Sequence, residues 1–485
     1  MALLGAQMVI TLIVVSVFQK LGTFFSLARW LLCSTGLVRY LYPTDNELRQ
    51  LAGIPKLSKE KSKGKKGSRF SEHSEVFRIP RSLDVPLESR KISPLDVIHL
   101  RFYSEYQWLV DFALYSGLVF LMSEAYHSFY PIKDEVNLCT VWCMLVLGFA
   151  TKVLASLTVQ YFKGEESVGE RSTVIVAAFA YLLIAMMIMV VDERNLESGL
   201  ETAYQSFNTS AARFLGNQGL QSNGPASKLV LKFFIALWCG LIGGLFIFPG
   251  FRAARMHYDL LKHYEVSRIR RLLLNLSFAS PFFLVLLWVK PVCRDYLTVR
   301  IFSGMTAPLM TDGAFDSMRL IAVIVVVLHR LLLMPLYLQA YLNMAYQRVQ
   351  EQRKEAGRIT NHELQEKIAS VFFYLCVVTL QYVIPIFCCL FFAFLFKILG
   401  GLSWSGTTLP LESPALFDSD PTGGDDSTTI MQSAKQFTLA LDSLKQVFTM
   451  EVSRGVLGFA LWWSTFAWFS SSFLGILYQT YFRHA

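Results

Sequence analysis

Charge is what this 485-residue sequence has least of. Asp, Glu, Lys and Arg together make up 17% of it, against about 25% in soluble domains. The chain therefore lacks the polar surface that a water-soluble fold of this size needs. Enzyme signatures are missing too. There is no H-E-x-x-H, no G-x-S-x-G, no P-loop and no intramembrane G-x-G-D, and the string nearest to the last, Gly423-Gly424-Asp425, lies in a polar stretch. No T-V-G-Y-G run is present to build a K⁺ filter, nor an internal repeat of the kind many secondary transporters carry. The eight cysteines (Cys33, Cys139, Cys143, Cys239, Cys293, Cys376, Cys388 and Cys389) lie in or beside apolar stretches, none at metal-ligand spacing with a histidine. They read as small apolar side chains of helices. An enzyme is not expected, and neither is a metal or other cofactor. The net charge of +9 does not indicate nucleic-acid binding, because the basic residues gather in particular loops, as membrane topology requires.

Apolar residues are what the chain has in abundance. They make up 53%, with 39 Phe, and the mean hydropathy is +0.42. The expected fold is all-α: a polytopic membrane helix bundle of about nine spans with amphipathic surface helices, embedded in a lipid bilayer. A span needs about 20 apolar residues. The runs that qualify, or nearly do, are Leu3–Val17, Gln107–Tyr130, Val136–Tyr161, Thr173–Val191, Leu229–Phe248, Leu272–Val289, Leu320–Leu342, Ile368–Leu399 and Val456–Tyr478. The first is not a secretory signal, since no Lys or Arg precedes it and Lys20, Arg29 and Arg39 follow it. It reads as an uncleaved span. Phe24–Leu37 is too short to cross and reads as an interfacial helix.

Charge then assigns the sides. The loops at 39–101, 162–171, 251–271 and 346–367 are rich in Lys and Arg and are expected in the cytosol; those at 131–135, 192–227, 291–317 and 400–454 fall opposite. Five units follow. Residues 1–38 hold the first span and the interfacial helix, and 39–106 a basic cytosolic loop. Residues 107–400 form the core bundle of spans two to eight. Residues 401–453 are an acidic disordered loop and a surface helix, and 454–485 are the last span with a short tail. Within the first loop, residues 56–69 carry seven Lys or Arg among 14, a patch able to bind anionic lipid headgroups or simply to be solvated. Leu196, Leu200, Tyr204, Phe207, Ala211 and Phe214 recur at helical spacing, which predicts an amphipathic surface helix. That helix carries a glycosylation sequon at Asn208-Thr209-Ser210. The sequon at Asn275 falls at a span and should be silent. Thr360 followed by Glu363 fits a capping box, and Gly357 suits the end of the preceding helix.

The candidate functional residues are the charges inside spans. Arg330 sits with His329 in the middle of the seventh run, where a charge costs about 2.5 kcal/mol or much more and Arg cannot shed its proton. By depth, Glu124 is the expected partner of Arg330, and Asp111 is expected to pair with Lys152. Such pairs either pin helices together or line a polar path. Lys232 lies near a span end and should snorkel. A lone intramembrane His is also used by membrane-bound acyltransferases, which makes His329 the basis of an enzymatic alternative.

Several strings resemble a known family: SLARWLLC at Ser26–Cys33, EYQWLVDF at Glu105–Phe112, GERS at Gly169–Ser172, FPGFRAA at Phe248–Ala254, LWVKP at Leu287–Pro291, LQAYLNMA at Leu338–Ala345, KEAGRI at Lys354–Ile359 and LQYVIP at Leu380–Pro385. In this order, across nearly the whole chain, they are similar to the transmembrane protein 161 family of animals. Asp111 falls within one of the strings, and Arg330 falls where the family carries an Arg. The acidic loop after Trp404 departs from the family pattern, as suits a spacer. The resemblance implies a multi-span protein without known catalytic activity, linked to ion currents, calcium handling and rhythm in excitable tissue. It implies membrane-protein partners such as channels or calcium pumps. It also favours the endoplasmic reticulum membrane, with the plasma membrane second. The competing expectation is a channel or transporter built around Arg330, Glu124, Asp111 and Lys152.

Overall fold

A computed structural model describes residues 6–22, 24–51, 87–129, 138–163, 168–191, 193–217, 227–263, 267–304, 307–355, 360–404 and 447–481. The basic run at 56–69, Gly357, nearly all of the acidic loop and most of the surface helix expected after it lie outside these residues. The described elements in chain order are α1 (Ala6–Leu21), α2 (Leu27–Cys33), β1 (Val38–Tyr40), α3 (Asp45–Leu51), β2 (Ser89–Lys91), α4 (Pro94–Ile98), α5 (Tyr103–Phe129), α6 (Cys139–Lys163), α7 (Val168–Val190) and α8 (Leu200–Asn217). They continue with α9 (Lys228–His263), α10 (Arg268–Leu286), α11 (Asp295–Thr298), α12 (Asp312–Leu342), α13 (Met344–Glu355), α14 (Asn361–Phe373), α15 (Leu375–Leu399) and a closing helix, α16 (Met450–Tyr481). The chain is a helical membrane bundle. Among the described residues, seven helical stretches are long and apolar enough to cross a bilayer, from Tyr103–Ser128 to Asn361–Leu399. Neither α1 nor α16 is among them.

The closing helix α16 packs along α9, α15, α8 and α10. Its hydroxyls are satisfied within the helix. Ser464 donates to the Ala460 carbonyl at 2.8 Å, Ser470 to Phe466 at 2.7 Å and Ser472 to Trp468 at 2.8 Å. Back-bonding of this kind lets Ser sit in an apolar interior.

Small residues bring the central helices together, since lipid gives helices no hydrophobic reason to associate and close packing must do so. A Cβ built on Gly243 of α9 would fall 2.2 Å from the Tyr181 ring of α7, and one on Gly475 of α16 would fall 2.6 Å from Ala254 of α9. A Cβ built on Gly455 of α16 would fall 2.1 Å from the carbonyl oxygen of Gly199, just before α8. Gly475→Val is therefore expected to lower thermal stability in detergent by about 1–3 kcal/mol through overpacking. Gly148→Ala should be neutral, because its Cβ would meet nothing within 4 Å. Equal melting points for the two variants would contradict this packing.

At one end of the bundle β1 and β2 pair antiparallel, with Val38 opposite Lys91. Gln339 of α12 clamps β1: its Oε1 accepts from Val38 N–H at 2.9 Å and its Nε2 donates to the Val38 carbonyl at 3.2 Å. Asp45 accepts from Asn361 at 2.8 Å and Gln365 at 3.0 Å. The flanks of the basic loop are thus a folded collar around the ends of α12 and α14. Within it, burial opposes the Asp96 charge, but hydrogen bonds from Ser93 and the nearby Arg39 leave its carboxyl below the usual range. The Thr360–Glu363 capping box forms as expected and starts α14.

A buried arginine in an aromatic enclosure

The inward face of α12 carries Phe315, Asp316, Arg319, Leu320, Val323, Val327, Arg330, Met334 and Tyr337, all buried, in steps of three and four with two adjacent pairs. This is the stripe a 3.6-residue period produces. Arg330 belongs to it and is only 1% exposed. Its guanidinium lies 4.9 Å from the ring centre of Trp468 on α16 and 5.6 Å from that of Phe278 on α10. Nη2 reaches the Phe278 carbonyl at a long 3.5 Å, and Nε has no partner among the described residues. The Arg330 carbonyl accepts from the Tyr382 hydroxyl of α15 at 2.9 Å. Beside it, His257 of α9 stacks on Phe278 at 4.4 Å, and its Nδ1 is 3.0 Å from the Tyr337 hydroxyl.

Among the described residues, the charge is held by ring faces and not by a carboxylate. A desolvated cation–π contact contributes about 2 kcal/mol, while an unpaired buried ion costs several. The site therefore stores unfavourable energy, as functional intramembrane charges tend to. Each helix that contributes to it also carries an internal proline or, for α16, a run of serines: Pro249 in α9, Pro281 in α10, Pro335 in α12 and Pro385 in α15. Proline removes one backbone hydrogen bond and kinks its helix. The Ser277 carbonyl that Pro281 leaves without its helical donor accepts from the Ser280 hydroxyl at 2.7 Å.

The other charges expected here are elsewhere. Glu124 does not pair with Arg330. It pairs with Lys397 at the end of α15 and accepts from the Trp404 indole at 2.9 Å. Depth alone could not separate the two cations, and the α5–α15 packing chooses Lys397. Asp111 does not pair with Lys152 either. It accepts from the Ser26 hydroxyl at 2.6 Å and Ala28 N–H at 3.1 Å, so it caps α2, where a carboxylate is favoured by the helix dipole. Lys152 is exposed on α6. His329 is half-buried on the flank of α12, its Nε2 enclosed without a partner among the described residues. Lys232 donates to the Met189 carbonyl at 2.8 Å near its span end. Asn208 is half-buried within α8. The five intramembrane residues therefore do not converge on one site. Among the described residues, no group of three or more His, Cys, Asp or Glu is arranged to hold a metal ion.

A second polar centre was not anticipated from the sequence. At the opposite end from the collar, Arg319, 2% exposed, donates to Glu197 at 3.0 and 3.2 Å and to Asp316 at 2.5 Å. Arg294 bonds Glu197 and also Asp312 at 3.1 Å, and Arg454 of α16 bonds Asp316. Three carboxylates thus face three guanidiniums. Burial works against the charge on Arg294, but Glu197, Asp316 and Asp312 hold its pKa above the ordinary value. The spacing of Asp312, Asp316 and Arg319 on one helix face was the available signal. Glu197 and Arg454 come from distant segments and gave none.

A closed bundle with buried charge at mid-depth and an ion-paired end defines the class: a multi-pass α-helical membrane protein. Over residues 2–483 the chain matches the family model described as predicted transmembrane protein 161AB, and it belongs to that family. No solved structure matches it.

Proposed function

We propose that this protein regulates ion homeostasis and membrane excitability, calcium first and potassium second, as a modulator of channels or pumps and without catalysis of its own. The observation that carries the reading is Arg330, a charge kept deep in the bundle without a carboxylate among the described residues and enclosed by ring faces where four proline-bearing helices meet. Such a charge gives a bundle two arrangements of similar energy to move between, and a modulator acts through such a change. The family resemblance supplies the link to calcium and ion currents. The same reading has nine crossings, with α1 and α16 as the first and last. The 32 residues of α16 extend about 48 Å at 1.5 Å per residue, and its packing along α9 and α15 supports a full crossing. The endoplasmic reticulum membrane is the favoured location, the plasma membrane the second.

The test is ion flux. Purified protein in liposomes is expected to pass neither Ca²⁺ nor K⁺. In cells lacking the protein, the wild type should restore calcium release and re-uptake, and Arg330→Gln at equal folded abundance should not. Liposome flux that Arg330→Gln alters would replace the modulator with a channel or transporter.

A further inference from the structure

The outward face of α6 holds a charge where a lipid-facing helix should have none. Val141, Leu145, Gly148, Lys152, Ser156 and Val159 are all exposed and, at steps of three and four, form one stripe along the helix. Lys152 stands 13 residues from Cys139 and 10 from Phe162, the ends of this span, or about 20 and about 15 Å at 1.5 Å per residue. Its four-carbon stem covers less than half of either distance, so snorkelling does not bring the ammonium to a headgroup. It makes no ion pair with a described residue. One turn before it, Gly148 leaves an open notch, with nothing within 4 Å of a built Cβ. The stripe is flanked by a fixed aromatic ridge, in which Phe149 lies 4.3 Å from Trp108 and Trp142 lies 5.4 Å from Phe112.

We propose that this face of α6 is the docking site for a transmembrane helix of another protein that carries an Asp or Glu at mid-depth, with Lys152 as the charge partner and Gly148 as the point of closest approach. Charge complementarity selects the occupant. Pairing between spans relieves the cost of Lys152 in hydrocarbon, and small residues let helix backbones approach. A second copy of this chain is disfavoured, because a two-fold contact through one face sets like residues opposite one another and would oppose Lys152 to Lys152. The proposal rests on the helix face and not on the ion-handling reading, and each can fail without the other.

The test uses the full-length protein, donor-labelled in phosphatidylcholine vesicles, with acceptor-labelled Leu/Ala model helices that differ only in one central residue. Energy transfer should report association with the central-Asp helix about tenfold tighter than with the central-Leu helix. Lys152→Met should remove that preference while melting no lower than the wild type, since it takes a charge out of lipid. Lys152→Glu should switch the preference to a central-Lys helix, which separates pairing from misfolding. Gly148→Leu should weaken association with all the helices. Equal binding of the Asp and Leu helices would overturn the proposal. So would a preference that Lys152→Met leaves intact. Association of the wild type with itself would assign the face to a second copy, and a response only to added anionic lipid would assign Lys152 to headgroups.

Discussion

Asp316→Ala is expected to cost about 3–5 kcal/mol, the range for removing one partner of a buried ion pair. Asp316 is 3% exposed. It accepts from Arg319 and Arg454 and lies 3.5 Å from Arg294. Its loss leaves the buried Arg319 to share Glu197 with Arg294, which keeps Asp312, and leaves Arg454 without a carboxylate among the described residues. The loss is comparable with the whole stability of a marginal domain, about 5–15 kcal/mol, so the variant should show a lower melting point in detergent and a reduced folded yield. Removing a cation with it should recover part of the loss. In a double-mutant cycle Asp316→Ala with Arg454→Met should cost less than the two single changes added together. A single-variant cost below about 1 kcal/mol is what an exposed pair would give, and it would mean that water reaches this centre.

Arg330→Met should do the opposite. It removes a charge that no carboxylate among the described residues pairs and leaves an apolar side chain of similar length between Trp468 and Phe278. Replacing buried charge with packed apolar volume is often neutral or stabilising by about 1–4 kcal/mol. The melting point is expected to hold or rise while calcium regulation in cells is lost. Arg330→Lys should fall between, since the ammonium is compact and lacks the planar face that Arg lays over a ring. Stability and function lost together would make Arg330 a packing residue, and the proposed function would then lose its principal support.

The two predictions draw on residues that differed in how far the sequence could reveal them. Arg330 was legible at once, because an arginine in the middle of a run such as LIAVIVVVLHRLLLMPLYLQAYL stands out against hydrocarbon at any depth. Its surroundings were not. Trp468, Phe278, His257 and Tyr382 come from four other helices, and no spacing in the sequence links them. Glu124 and Asp111 show the same limit. Each was recognised as a charge needing a partner, and each found one, Lys397 and the start of α2, that a count of residues from the membrane surface could not choose. The centre around Arg319 was hidden because its six charges lie in segments read as loops or span ends, where charge is ordinary.

Hydropathy and charge, read along the chain, determined the membrane class, the helical fold and the approximate place of seven apolar spans. Those properties are local, because a segment of about 20 apolar residues must cross as a helix whatever surrounds it. The capping box at Thr360 and the amphipathic α8 were local in the same sense and formed where expected. Tertiary packing decided everything that depends on which helices touch. It packed the serine-rich α16 against α9, α15, α8 and α10, because its hydroxyls bond their own helix and Gly475 admits α9 at close range. It enclosed Arg330 in rings and left Lys152 facing outward, since helix contacts in a bilayer follow shape and small residues more than the depth at which charges happen to lie.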